Sequence, residues 1–305
     1  NGGFRQPAFC RYIVTGGWGM TGTVYRIARP VRQDTAVIFA SPHSGRQYGA
    51  GVLAQTVLDT RMIRSSEDAY IDQVFATAPQ VGAPLLLAEV PRAYLDLNRA
   101  PDELDPSVIE GVARSAHNPR VASGLGVIPR VVAQGRAIYR GKLTLAEAEA
   151  RIAQVWHPYH RALRGLMDET HSQFGEAVLI DCHSMPHEAI EGHTRPGHLR
   201  PDVVLGDRFG AAAGRDVMDR IEAAFASAGL RVARNAPFAG AFIAQSYGRP
   251  VSGRHVVQVE IDRALYLDEA RVEPLPGFAA FCALMAGVVA EIATIGRQSL
   301  PLAAE

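Results

Sequence analysis

The stretch TAVIFASPHSG, residues 35–45, is a continuous apolar run that ends in a proline, a histidine and a glycine. Similar short apolar runs lie at residues 83–90, 176–182, 201–206, 230–235 and 254–261. Most of them are unbroken rather than alternating, which is typical of strands covered by helices on both faces. The sequence therefore predicts an α/β fold with a mixed, mostly parallel sheet sandwiched by helices.

The segments between these runs have sequence features that predict helices. Thr144 and Glu147 have the spacing of a capping box, and apolar residues follow at helical spacing. Pro158 is expected to kink or break this helix, because proline lacks an amide hydrogen. Further helices are predicted at residues 208–228, before a glycine suited to a helix end, and at residues 277–295.

The alternation of strands and helices predicts a single domain over residues 1–305. Residues 1–34 are expected to be an N-terminal extension or residues foreign to the native protein. Residues 101–141 are rich in proline, glycine and arginine, and they are expected to form an excursion from the domain.

Composition narrows the possible partners and the compartment. The formal net charge of +0 gives no reason to expect binding to nucleic acid or to an anionic membrane, and no apolar run is long enough to span a bilayer. Cys10, Cys182 and Cys282 are too scattered for a disulfide framework or a CxxC metal site, which favours a cytoplasmic protein. The start of the chain shows no signal-peptide pattern. A small molecule is the expected partner, and the oligomeric state stays open.

Several predicted strands end in side chains of catalytic type. His43 follows the first strand, Asp181 and His183 end another, and Glu260 and Arg263 end the last. The carboxyl ends of strands in an open α/β sheet share one edge, where the active site lies. Two imidazoles and a carboxylate suit a catalytic zinc ion, and a further carboxylate then takes a proton from water. A single histidine at a strand end is more often a loop residue, but the shared context of the two favours a site.

A possible substrate-binding element follows the second apolar run. The stretch YLDLNR ends in Asn98 and Arg99, and Arg92 stands seven residues before Arg99. A guanidinium binds a carboxylate through two parallel hydrogen bonds, so these residues could recognise a carboxylate substrate. The alternative is an ion pair with Asp96 or Asp102 on the protein surface.

The stretch RSSEDAYIDQVF, residues 64–75, predicts a helix capped by a serine, with Glu67 and Asp68 in its first turn. Acids at a helix N-terminus are common, because they interact favourably with the helix dipole. The functional interpretation is that Asp68 supplies the oxygen ligand to the metal.

Seven stretches together resemble one family: SPHSG, EDAYID, RAYLDLNR, DCHSMP, RPDVVLGDRFG, NAPFAGAFIAQSYGRP and HVVQVEIDRALYLDE. In this order, over roughly residues 35–270, they are similar to the N-formylglutamate amidohydrolases. That family is similar to zinc carboxypeptidases and aspartoacylases, which implies a zinc-carboxypeptidase-like fold and one zinc ion. Those relatives commonly take a histidine and a glutamate from one HxxE motif. Here Arg46 is the third residue after His43, so Asp68 is expected to be the carboxylate ligand, with Glu67 as the fallback.

The resemblance implies hydrolysis of N-formyl-L-glutamate to formate and L-glutamate, a step of histidine degradation. A related N-acyl amino acid deacylase, or a carboxypeptidase-like hydrolase, is the alternative. The site residues expected in this mechanism fall into three groups: metal ligands His43, Asp68 and His183; general base Glu260, with Arg92 at the oxyanion; and substrate-binding Asn98, Arg99 and Arg263.

Other interpretations of the same residues remain open. Cys182, between Asp181 and His183, could be a thiol nucleophile, although strand neighbours point to opposite faces and Cys182 would face away from His183. Glu260 could instead be a buried acid paired with Arg263 or Arg254. Without a base, the protein would be a metal-dependent binding protein.

The remaining histidines have no assigned chemistry. His157 and His160 lie on the helix that contains Pro158 and are expected to be structural. His187, His193 and His198 lie in a loop after His183, either at the border of the pocket or in solvent.

Overall fold

The computed structural model of the protein describes residues 11–18, 22–113, 118–191 and 200–297. The strands are β1 (Arg11–Trp18), β2 (Gly22–Arg29), β3 (Val37–Ser41), β4 (Leu85–Ala88), β5 (Ala177–Met185), β6 (Val203–Gly206), β7 (Val232–Arg234), β8 (Arg254–Asp262), β9 (Leu267–Asp268) and β10 (Glu273–Pro274). The helices are α1 (Ala50–Leu53), α2 (Ile71–Val74), α3 (Pro119–Ala122), α4 (Leu145–Arg151), α5 (His157–Phe174), α6 (Glu188–Glu191), α7 (Arg215–Ser227), α8 (Phe242–Tyr247) and α9 (Phe278–Ile292).

Eight strands form one sheet in the order β1-β2-β4-β3-β5-β8-β6-β7. The central strands β4, β3, β5 and β8 are parallel to one another. β2 joins β4 antiparallel, and β6 joins β8 antiparallel. The prediction of a mixed, mostly parallel sheet with helices is confirmed. Because the centre is parallel, β3, β4, β5 and β8 bring their carboxyl ends to the same edge.

The side chains of β5 alternate between two apolar layers. Leu179 packs in the layer that contains Tyr159 and Leu163 of α5. Ile180 and Cys182 pack in the other layer, together with α7 and α9. Both faces are covered, which explains why the strands appear in the sequence as continuous apolar runs. Each fully buried large aliphatic side chain contributes roughly 1.5–3 kcal/mol of transfer free energy.

The long helix predicted after Thr144 forms with its capping box, in which the Thr144 hydroxyl accepts from the backbone of Glu147. Pro158 does not break it. A wide π-type turn over Ile152–Trp156 comes just before the proline, and the chain continues as α5. Such a turn changes the hydrogen-bond register, so the missing amide hydrogen of proline is tolerated there.

The other predicted helices also form, with one shifted boundary. The helix predicted from residue 208 begins at Arg215 as α7. Arg208 and Phe209 both have positive φ angles (56° and 58°), which are incompatible with a right-handed helix. Among the described helices, none combines the length and the apolar character that crossing a lipid bilayer requires.

Two predicted irregular regions contribute to the structure. Part of residues 1–34 is not an extension, because β2 pairs with β4 and buries Val24 and Ile27. Glycines within and between β1 and β2 interrupt the apolar pattern, which hid this hairpin in the sequence. Within residues 101–141, the described residues include the short helix α3 and the fully buried Val127 and Ile128, and the interpretation of this segment as an excursion stays a prediction. The assignment of the whole chain to a single domain stays a prediction.

Candidate active site

A cavity of about 560 Å³ at the carboxyl edge of the sheet gathers the candidate residues. The residues predicted to bind metal, to bind substrate or to transfer protons all line it: His43, Asp68, Arg92, Asn98, Arg99, His183, Glu260 and Arg263. Parts of the 101–141 segment line the same cavity. Residues of this segment therefore lie at the edge where the strands end.

His43 is placed by the loop that follows β3. A Cβ atom on the nearby Gly45 would lie 2.2 Å from the carbonyl oxygen of Val90, so only glycine fits this approach to the chain after β4. The carbonyl oxygen of His43 accepts a hydrogen bond from the Asp68 amide at 3.1 Å. The loop thus brings His43 and Asp68 together through the backbone.

Glu67 and Asp68 do not lie in the first turn of a helix, and that prediction was wrong. They connect a 3₁₀ turn at Met62–Ser66 to the short helix α2, and Glu67 has an extended ψ of 147°. Tyr70, in a left-handed conformation with φ of 66°, delays the start of α2 until Ile71. The Glu67 side chain accepts from Arg64, whereas Asp68 lies in the cavity. This geometry favours Asp68 over Glu67 as a ligand.

His43, Asp68 and His183 offer ligand atoms that lie within 4.8 Å of one another. Asp68 Oδ2 is 2.9 Å from His183 Nδ1 and 3.3 Å from His43 Nδ1. The Nδ1 atom of His43 is buried and has no hydrogen-bond partner among the described residues, so its lone pair is available to a metal ion. Two imidazole nitrogens and a carboxylate oxygen are a donor set of catalytic metal sites. The three residues could therefore hold a metal ion.

The far nitrogen of each imidazole faces a second acid. His43 Nε2 is 2.7 Å from Asp96 Oδ1, and His183 Nε2 is 3.1 Å from Asp181 Oδ2. A carboxylate that accepts from the far N–H fixes the tautomer and leaves the Nδ1 lone pair for a metal. Sequence reasoning missed these two roles. Asp181 lies inside a fully buried strand, and an acid in such a strand could have indicated a partner for an imidazole.

Negative charge accumulates around the imidazoles. Burial disfavours protonated His183, but Asp181 and Asp68 outweigh burial and raise the pKa of His183 well above its ordinary value. Burial also disfavours ionised Asp68, yet the hydrogen bond with His183 and the nearby imidazole of His43 hold the pKa of Asp68 well below its usual range. The pocket thus stabilises positive charge between these groups, and a divalent cation could replace the proton.

Glu260 lies beside His183 because the two residues are register partners on β8 and β5. Its side chain is buried, and Gln258 Nε2 donates to Oε1 at 2.8 Å. Burial is the main cause that raises the pKa of Glu260 to about 7, although the charge of His183 opposes it. A carboxyl group with a pKa near neutrality can accept and return a proton at physiological pH.

The alternative partners proposed for Glu260 are engaged elsewhere. Arg254 pairs with Asp168 at 2.8 Å. Arg263 Nη2 donates to Asp68 Oδ1 at 3.0 Å, and its Nε donates to Ser184 Oγ at 3.0 Å. Arg263 therefore orients the carboxylate of Asp68, and its predicted contact with substrate stays a prediction.

Arg92 also holds an acid of the site in place. Its Nη2 donates to Asp96 Oδ2 at 2.8 Å, and its Nη1 is 3.7 Å from Asp68 Oδ1. Burial would raise the pKa of Asp96, but His43, Arg92 and Arg99 outweigh it and keep that pKa well below its usual range. The predicted action of Arg92 on an oxyanion stays a prediction.

Asn98 and Arg99 are buried, unlike the surface ion pair with Asp96 or Asp102 that was the alternative from sequence. Asn98 Nδ2 donates to Asp181 Oδ2 at 3.1 Å, and its Oδ1 accepts from the Ile243 amide at 2.8 Å. Arg99 Nε donates to the carbonyl of Leu125 at 2.9 Å, and Nη1 donates to the carbonyl of Asn98 at 2.8 Å. Arg99 thus keeps its positive charge at the cavity wall instead of forming an ion pair with Asp96 or Asp102.

The thiol alternative does not fit the structure. Cys182 is fully buried in the apolar layer beneath α7 and α9, on the sheet face opposite His183. Burial raises the pKa of its thiol well above the ordinary value, which disfavours the reactive thiolate.

Other described histidines are not among the candidate metal ligands. His160 stacks on Trp156, and burial lowers its pKa to about 3, as suits a neutral structural residue. His187 Nδ1 is 2.7 Å from Asp262 Oδ2. His193 and His198 lie outside the described residues.

The fold and this cavity define an α/β protein of enzyme type, whose candidate catalytic groups lie at the carboxyl edge of a mostly parallel sheet. The family model described as N-formylglutamate amidohydrolase matches residues 35–267. The chain belongs to this family, whose members hydrolyse an amide bond.

Individual relatives agree with the family assignment. An N-formylglutamate deformylase of Pseudomonas aeruginosa is 31% identical over 242 residues, which cover 78% of this chain and 84% of that protein. One from Pseudomonas putida is 30% identical over 236 residues, or 76% of this chain and 82% of that protein. The crystal structure of N-formylglutamate amidohydrolase from Ralstonia eutropha has a TM-score of 0.82 and 34% identity, and the match covers 89% of this chain and 97% of that one.

Proposed function

We propose that the protein is a zinc-dependent N-formylglutamate deformylase, which hydrolyses N-formyl-L-glutamate to formate and L-glutamate. The family and the names of its relatives support this substrate. The observation that carries the proposal is the buried Nδ1 of His43, which has no hydrogen-bond partner in the described part of the chain and lies beside Asp68 and His183, with Glu260 in the same cavity.

The residues present fit a divalent cation. Nδ1 of His43, Nδ1 of His183 and a carboxylate oxygen of Asp68 would hold it, while Asp96 and Asp181 fix the two imidazole rings. When bound, zinc supplies Lewis-acid chemistry, which withdraws electron density from an amide carbonyl and makes water more acidic. Zinc is favoured because nitrogen and oxygen donors without thiolate are typical of its catalytic sites.

Glu260 moves the protons of the reaction. It takes one proton from water as the water oxygen attacks the formyl carbon. It then gives that proton to the amide nitrogen as the carbon–nitrogen bond breaks, so that formate and the free amino acid leave. Its elevated pKa suits both steps, because the group must be a base first and an acid afterwards.

Arginines orient the charged groups of this reaction. Arg92 lies in the cavity and carries a guanidinium that can donate to the oxyanion formed from the formyl carbonyl. Arg99 has a charge that no neighbouring acid of the described structure pairs with, and it can bind the α-carboxylate of the substrate. We assign the reaction to the end of histidine degradation in the cytoplasm.

A substrate panel tests this function. Purified protein supplied with zinc is assayed for formate and free amine with N-formyl-L-glutamate and N-acetyl-L-glutamate. We expect kcat/KM to be roughly 10–200-fold higher for the formyl substrate, because a small pocket discriminates against one extra methyl group on about this scale. The Glu260→Gln variant from the same purification controls for contaminating enzymes. Faster cleavage of the acetyl substrate would instead identify an N-acyl amino acid deacylase, and cleavage of a peptide added to the same panel would identify a carboxypeptidase-like hydrolase.

A further inference from the structure

The lining of the active-site cavity contains a fourth arginine besides Arg92, Arg99 and Arg263: Arg120 of α3, which has no assigned role. Within the part of the chain that the structure describes, neither Arg99 nor Arg120 has a carboxylate within ion-pair distance. Other arginines near them do have such partners: Arg92 pairs with Asp96, and Arg130 pairs with Asp105. The charges of Arg99 and Arg120 are therefore left for a ligand.

The backbone holds these two arginines close to each other. Arg99 Nε donates to the carbonyl of Leu125 at 2.9 Å, and the amide of Leu125 donates to the carbonyl of Arg120 at 2.8 Å. Asn118 caps the turn by accepting from the Arg120 amide, and its own Nδ2 donates to Glu103 at 3.3 Å. One continuous chain of hydrogen bonds thus fixes the start of α3 relative to Arg99.

Two cations without acidic partners in one cavity repel each other. Burial lowers the pKa of the Arg99 guanidinium, and the charges of Arg92 and Arg120 add to this effect, although Asp96 opposes it. Like charges in a partly enclosed site are unfavourable until anions enter, so the arrangement suits a ligand with two negative groups.

The depths of the two arginines indicate which anionic group each would bind. Arg99 is buried and adjacent to Asn98, whose amide contacts Asp181 behind the candidate metal ligand His183. Arg120 is exposed and lies at the mouth. In an N-acyl dicarboxylic amino acid, the α-carboxylate is close to the scissile amide, and the side-chain carboxylate is farther away.

We propose that Arg99 and Arg120 bind the two carboxylates of a dicarboxylic N-acyl amino acid, and that Arg120 is the specificity determinant for the side-chain carboxylate. This inference rests on the proposed function and adds to it a residue that distinguishes N-formylglutamate from its uncharged analogues.

Kinetics with matched substrates test the role of Arg120. N-formyl-L-glutamate and N-formyl-L-glutamine differ only in the charged group that Arg120 would read. We expect Arg120→Ala to raise KM for N-formylglutamate about tenfold or more, with kcat nearly unchanged, and to leave N-formylglutamine unaffected. Arg120→Lys should restore part of the preference, because it restores the charge without the planar fork. Arg140→Ala is the matched control, since Arg140 is an exposed arginine of the same segment that does not line the cavity.

A binding measurement separates this inference from the proposed function. Calorimetry on the zinc-loaded protein compares glutarate with its monoamide, and requires no turnover. We expect wild type to prefer glutarate and Arg120→Ala to lose that preference, even if N-formylglutamate proves not to be the substrate. If wild type shows no preference, or if Arg120→Ala keeps it, the inference is wrong while the deformylase function can stand. An equal loss of kcat/KM for N-formylglutamate and N-formylglutamine in Arg120→Ala would also overturn the inference. It would show that Arg120 only holds the segment in place.

Discussion

The chemistry of Glu260 depends on its neighbours more than on its residue type. An exposed glutamate is ionised at neutral pH and is a weak base, whereas burial raises the pKa of Glu260 to about 7. Gln258, two residues earlier on the same face of β8, donates to one carboxyl oxygen and leaves the other without a described protein donor. This pair therefore orients the group proposed to transfer the protons.

Glu260→Gln should separate catalysis from folding. Glutamine has nearly the same shape, so the fold and the metal content should survive, and turnover should fall about 10²–10⁴-fold, the usual scale of general acid–base catalysis. Metal content, binding of N-formylglutamate and rate should be measured on one preparation. Loss of metal in this variant would make Glu260 a ligand, and an unchanged rate would transfer the role of base to another group.

Residue types at the strand ends could be predicted from sequence, but their partners could not. His43, His183 and Glu260 each follow an apolar run, and strand ends meet at one edge in this class of fold. The partners of the imidazoles depend on the paths of loops. Asp96 reaches His43 from the segment after β4, and the sequence pattern alone suggested an ion pair with Arg99.

At the scale of elements, the contact between the loop after β3 and the chain after β4 positions the first candidate ligand. Gly45 packs against the backbone of Glu89 and Val90. The amide of Gln47 also donates to the carbonyl of Glu89 at 3.0 Å, which fixes the loop further. The site therefore depends on a backbone contact in addition to its side chains.

Gly45→Ala should disturb this contact. Its Cβ would lie 2.2 Å from the Val90 carbonyl oxygen, which cannot be relieved without moving the backbone. We expect a loss of roughly 1–3 kcal/mol in the free energy of unfolding and weaker metal binding. Gly51→Ala is the control, because a Cβ there meets no atom within 4 Å. Urea unfolding and metal titration measure both effects. Equal stability and equal metal binding of the two variants would show that the close approach of Gly45 to Val90 does not position the site.

The strands could be predicted because burial on both faces leaves a continuous apolar run. The element around Glu67 and Asp68 could not be predicted, because its sequence has acids after serines, as a helix start does. The left-handed conformation of Tyr70 interrupts that helix, and no local sequence pattern predicts this conformation. The β1–β2 hairpin escaped detection for a related reason, since its glycines break the apolar pattern by which a strand is recognised.

At the scale of the whole molecule, charge is balanced overall but not locally. The formal net charge is +0, yet Asp68, Asp96, Asp181 and Glu260 surround the imidazoles, and four arginines also line the cavity: Arg92, Arg99, Arg120 and Arg263. The acids favour a cation, while Arg99 and Arg120 favour an anionic substrate. The segment over residues 101–141 adds Arg120 to these arginines, so the proposed specificity for a second carboxylate depends on this segment.

The metal content of the purified protein tests the central claim most directly. Zinc per chain should be measured by mass spectrometry in wild type, His43→Ala, Asp68→Asn and Glu67→Gln, with formate release measured on the same samples. We predict about one zinc ion in wild type and in Glu67→Gln, and the loss of both zinc and activity in the other two variants. Full zinc and full turnover in His43→Ala would contradict the proposed metal centre.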